Sequence, residues 1–141
     1  MEQADSYGLA APGTAGAFTV EVLSRPDGGW LLSVESPAWC FDFALAHPGS
    51  VGELAAFLRS HAGREEFAEL LVGSLGGVAV RAVKDDEFAD RFFLRAAGSG
   101  SLVEFTLVGG ASHEFAAAVA AAAAEFGAEA EPSAAADPGR M

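Results

Sequence analysis

Cysteine occurs once in this 141-residue sequence, at Cys40, so no internal disulfide can staple the fold. Basic side chains are few: eight stand against 20 acidic ones, a formal charge of −12 at neutral pH. That balance opposes wrapping around nucleic acid, where affinity comes from Lys and Arg displacing counterions from phosphates. Long apolar runs are missing too. The longest, Phe115 to Ala124, falls far short of the roughly 20 residues that span a bilayer. The opening stretch MEQADSYGLAAPGTAG carries early acids and lacks the apolar centre of an export signal. These absences point to a cytoplasmic chain with no membrane or nucleic-acid partner, for which a basic protein surface is the favoured contact.

An apolar fraction of 51% supplies ample material for one hydrophobic core. Residues 1–16 and 128–141 mix Gly, Ala, Ser and Pro without periodicity and read as flexible tails around a single domain over 17–127. Within it, Phe18, Val20 and Val22 alternate with Thr19 and Glu21, the period of a strand with one buried face. RPDGG at 25–29 then reverses the chain, because Pro26 presets φ and the two glycines accept positive φ. Trp30, Leu32 and Val34 form one face of a second strand. A third places Trp39, Phe41, Phe43 and Leu45 opposite Cys40, Asp42 and Ala44. A helix follows, with Ser50 and Glu53 spaced for a capping box and Val51, Leu54, Phe57, Leu58 and His61 recurring at helical intervals.

The same plan returns 62 residues later. VAVRAVK, RFFLRAA and LVEFTLV read as strands, and a helix beginning near Ser112 carries Phe115, Val119, Ala122 and Phe126 on one stripe. At that offset Trp30 falls on Phe92, Phe43 on Phe105 and Ser50 on Ser112. The expected fold class is therefore α+β: two βββα units, halves 17–62 and 78–127, with antiparallel sheet covered by helices on one side. Residues 63–77 fit a short helix through Phe67, Leu70 and Leu71, or equally a strand; helix is the preferred reading. Eight alanines among residues 116–124 make a smooth helix that can pack closely in the core or against a second copy, so a homodimer is open.

The densest polar cluster is KDDEFADR, residues 84–91. Its acids lack the order of a calcium loop, so no metal or other cofactor is expected. A solvated hairpin turn with acids paired to Lys84 and Arg91 is one reading. The other makes Asp85, Asp86, Glu87 and Asp90 a partner-binding surface that steers and bonds a cationic protein. Cys40, Asp42 and His47 lie near one another in sequence, but His47 is beyond the strand end and no Gly-rich elbow accompanies them, so Cys40 is expected to be a buried, inert thiol. No catalytic residue emerges, and a non-enzymatic binding protein is the leading expectation. A small-molecule binder or enzyme with a pocket between the halves, and a structural or dimerisation module, are the alternatives.

Residues 73–96, GSLGGVAVRAVKDDEFADRFFLRA, are similar to the middle of WapI-like immunity proteins, small bacterial antitoxins of contact-dependent toxin systems. The shared features are Ser and Gly before an alternating strand, an Asp in the turn, a second alternating strand and a LAAFL helix upstream. The resemblance implies a cytosolic, non-enzymatic protein that neutralises a cognate toxin by binding it. In architecture alone, the duplicated order also resembles Whirly- and Pur-like folds.

Overall fold

The computed structural model describes residues 8–98 and 100–135. Eight strands lie in chain order in one antiparallel sheet: β1 (Gly8–Ala15), β2 (Phe18–Ser24), β3 (Trp30–Glu35), β4 (Cys40–Leu45), β5 (Ala68–Leu75), β6 (Val78–Lys84), β7 (Arg91–Gly98) and β8 (Ser101–Val108). Helix α1 (Ser50–His61) connects β4 to β5, and α2 (Gly110–Ala135) follows β8. The two expected βββα units are thus corrected: each half contributes four strands and a helix, and all eight strands share a single sheet.

Each half gains a strand that period 2 does not reveal. In β1 the register slips between Leu9 and Ala11, and in β5 between Leu71 and Gly73, where Val72 bulges into the core. A bulge exchanges the buried and exposed parities midway along a strand and so erases its alternation. Hence β1 occupies what reads as a flexible tail over 1–16, and β5 replaces the preferred helix over 63–77. At the other end α2 runs to Ala135, so the backbone of 128–135 is helical where a tail was expected, and 136–141 lie outside the described residues.

The halves correspond closely. Ala15 pairs Phe18 around Gly16 at φ 58°, and Leu75 pairs Val78 around Gly76 at φ 57°. Turn 25–29 separates the paired residues Ser24 and Trp30, whereas 85–91 separates Lys84 and Phe92. The insertion that stretches one half relative to the other therefore falls in the acidic turn between β6 and β7.

The core lies between the inner sheet face and the helices. Phe18, Val20, Val22, Leu32, Val34, Phe41 and Phe43 line it from the first half, and Val80, Ala82, Phe92, Leu94 and Leu107 from the second. Each helix crosses over: α2 packs along β1 and β2, while α1 packs against β5 and touches α2. Gly13 on β1 permits the first contact, since a Cβ there would strike the backbone of Ala118 and Ala122. The alanine run supplies the matching smooth surface. Across the halves, Trp39 stacks on Phe105 at 4.3 Å between centroids, Phe41 lies 4.9 Å from Phe105, and Phe57 meets Phe92 edge-on at 6.1 Å. Through these contacts neither half's inner face is completed by its own residues alone.

At the start of α1, Ser50 is buried within the helix, and its hydroxyl accepts the N–H of His47. Glu53 lies 3.4 Å from His47 Nε2. The spacing of a capping box is present, but these two side chains serve the preceding loop instead.

Candidate functional site

Strand β6 turns Val80, Ala82 and then Lys84 to its inner face and buries all three, with Val83 buried on the opposite face. Continued by one step, the alternation carries the only lysine of the chain wholly inside. An ammonium has three N–H donors and must place them all when it leaves water. Lys84 Nζ donates to the carbonyls of Arg64, Asp85 (2.6 Å) and Phe88 (2.9 Å), and sits 5.7 Å from the centre of the Phe92 ring. Its partners are carbonyl dipoles, not the carboxylates expected from the sequence. The buried charge thus gathers the α1–β5 connection and both arms of the β6–β7 turn around one point.

Asp85 also turns inward. Its carboxylate accepts the Glu87 N–H at 2.8 Å and the guanidinium of Arg91. The Glu87 amide holds the carboxyl below the usual carboxylate range; burial opposes this, and Arg91 and Lys84 reinforce it. Arg91 in turn lies 4.2 Å from the ring centre of Phe88 and 3.7 Å from Glu87. Two further bonds brace the turn from outside: Gly63 N–H donates to Ala89 O at 3.2 Å, and Gly109 N–H to Asp90 O at 3.1 Å.

This scaffold projects a small surface. Phe88 is 53% exposed although it is a large apolar side chain, and Asp86 and Glu87 stand exposed beside it. Asp90 is half-buried, 3.9 Å from His113 Nε2 at the start of α2. The four acids singled out from sequence therefore divide: Asp86 and Glu87 face solvent, Asp90 lies at the margin, and Asp85 is part of the internal bracing. Sequence reasoning passed over Phe88 and the burial of Lys84. The signals were an apolar residue alone among acids, and an alternation that did not stop at Ala82.

The other sequence candidates do not converge. Cys40 is exposed, contrary to the expected buried thiol, because it shares the outer face of β4 with Asp42 while Phe41 and Phe43 take the inner one. His47 Nδ1 accepts the Gly49 N–H at 3.1 Å. The outer face of β6–β8 carries Arg81 directly opposite Arg95, with Arg95 bonded to Glu104 at 2.6 Å. Among the described residues no three His, Cys, Asp or Glu side chains converge as a metal site would require, and no helix is long and apolar enough to cross a membrane. Where a pocket between the halves was the alternative, Trp39 and Phe41 of the first half meet Phe105 of the second, and no pocket is found among the described residues. Compared with protein-family models, with curated proteins and with solved structures, the chain matches none.

Proposed function

We propose that this protein is a non-enzymatic binding protein of the cytoplasm whose β6–β7 turn docks on a protein partner. The observation that carries this reading is Phe88, an exposed aromatic at the tip of a turn held by a buried lysine, an Asp–Arg pair and backbone bonds to two other loops. Most binding energy at protein interfaces comes from a few such anchors ringed by polar contacts. Ordering a loop on binding costs affinity, and here the order is already present in the fold. Asp86, Glu87 and Asp90 form the polar rim, and with the overall charge of −12 they steer a basic partner toward the anchor. The resemblance of residues 73–96 to WapI-like immunity proteins supports a further step, in which the partner is a toxin neutralised by occlusion of its surface.

The test places a photo-crosslinking amino acid at position 88 and, for comparison, at position 33 on the outer face of β3, in an extract of the source cells. A single partner trapped from 88 and not from 33 is the expected result. The purified pair should then bind at least tenfold more weakly with Phe88→Ser, and Asp86→Lys with Glu87→Lys should flatten its salt dependence. A complex indifferent to all three changes removes the turn from the interface.

A further inference from the structure

A sheet of eight strands in chain order has two edges, β1 and β8. An unpaired edge is a template for any extended chain unless something blunts it. β1 is blunted: Pro12 removes a donor, the register slip interrupts the ladder, and α2 lies along the strand. β8 has no such device. Its pairing with β7 is unbroken from Arg91 opposite Val108 to Gly98 opposite Ser101, it contains no Pro or Lys, and Leu102, Val103 and Val108 are 61%, 42% and 52% exposed.

The ladder parity says which groups this edge offers. Gly109 N–H donates to Asp90 O, which continues the hydrogen-bonded pairs of the β7–β8 ladder, and the pairing runs unbroken to Gly98 opposite Ser101 at the other end. Odd-numbered residues of β8 therefore bond to β7, and the N–H and C=O groups of Leu102, Glu104, Thr106 and Val108 point outward.

We propose that β8 pairs antiparallel with β8 of a second copy about a two-fold axis between their Phe105 residues, joining the two sheets. In this register Leu102 lies opposite Val108 of the second copy and Glu104 opposite Thr106, so each of the four outward residues faces another outward residue and every edge group gains a partner. A shift by two residues sets Glu104 against Glu104 in one direction and Thr106 against Thr106 in the other, and both leave one end of the edge unpaired. A shift by one brings outward groups against inward ones and forms no ladder. Charge complementarity agrees, since Glu104 already has its own Arg95 and meets no acid directly across the axis. The contact is isologous and closes at two copies. It is independent of the turn proposed above, and the two turns would lie toward opposite ends of the joined strands.

Sedimentation equilibrium of the full chain tests it, with circular dichroism as the check on folding. The expected result is a concentration-dependent dimer. Thr106→Pro, which removes an outward N–H at an edge where proline is tolerated, should yield monomer with an unchanged spectrum. Leu102→Lys with Val108→Lys sets lysine against lysine at both ends and should weaken the dimer about tenfold or more. Leu102→Lys with Val108→Glu should restore it, an outcome that only this register produces. A wild-type chain that stays monomeric overturns the proposal and leaves the edge to a strand of another protein. A dimer indifferent to these changes also overturns it and assigns association to another face, such as that of α2.

Discussion

The turns at 25–29 and 85–91 occupy the same place in the two halves, yet they are held in different ways. The first closes on itself: Arg25 N–H donates to Gly29 O, Asp27 accepts the Gly29 N–H, and Gly28 takes φ 98°. Every partner is within five residues, so RPDGG is sufficient to specify it. The second is longer and draws its partners from across the fold, from Arg64 through Lys84 and from Gly63 and Gly109. Where the first half has Ser24 next to its turn, the second has a wholly buried lysine. A local turn can be swapped without consequence elsewhere, but a turn braced from outside keeps its shape only while the surrounding fold is intact. That dependence is what lets an exposed phenylalanine and its acidic neighbours be presented in one geometry.

The comparison breaks most severely in the core. Phe43 and Phe105 hold corresponding places, but Phe43 is fully buried and Phe105 only partly so. Phe43→Ala should cost about 3–5 kcal/mol by chemical denaturation, and Phe105→Ala distinctly less, because the transfer and cavity terms scale with what is buried. Next comes the lysine. Lys84→Met keeps the stem, removes the ammonium and leaves buried carbonyls without donors, so a loss of about 2–4 kcal/mol is expected.

Smaller, and diagnostic in sign, is the effect of acid. The folded-state carboxyl of Asp85 titrates below its unfolded value of about 3.9, so its contribution is complete above that pH and is lost as pH falls through the folded value. Asp85→Asn should lower stability at neutral pH and flatten the acid limb of the stability profile, measured by denaturation midpoints between pH 6 and pH 2. The smallest expected effect on folding is Phe88→Ser, within about 0.5 kcal/mol, since its ring is largely in water already. A large loss of stability from that change would make Phe88 a structural residue instead of an anchor.

Much of the fold was legible locally. Phe18 to Val22, Trp30 to Val34 and Phe41 to Leu45 alternate as half-buried strands should, and their inner residues are the buried ones, Trp30 in part. The stripe Phe115, Val119, Ala122, Phe126 lies inward on α2 as its spacing requires. What escaped was wherever a long-range contact overrode the local pattern. β1 is mostly glycine and alanine because a helix presses on it, so it carries no apolar alternation. β5 hides behind its bulge at Val72. Of the candidate site, the acids were conspicuous and the phenylalanine among them was not, because exposure is a property of the folded surface and no periodicity announces it.

Composition and periodicity by themselves determined that this chain buries an apolar core, reverses at RPDGG and carries an alanine-rich helix; all of these follow from side-chain volume, φ preference and spacing along a few residues. Only the tertiary structure decided that the repeats have four strands each and share one sheet, that each helix leans on the opposite half, and that Lys84 lies inside with Asp85 turned toward Arg91. The reason is physical. A strand's place in a sheet and a charge's place in the interior are set by partners far away in the chain, and the free energy of satisfying them exceeds any preference encoded within a single short segment.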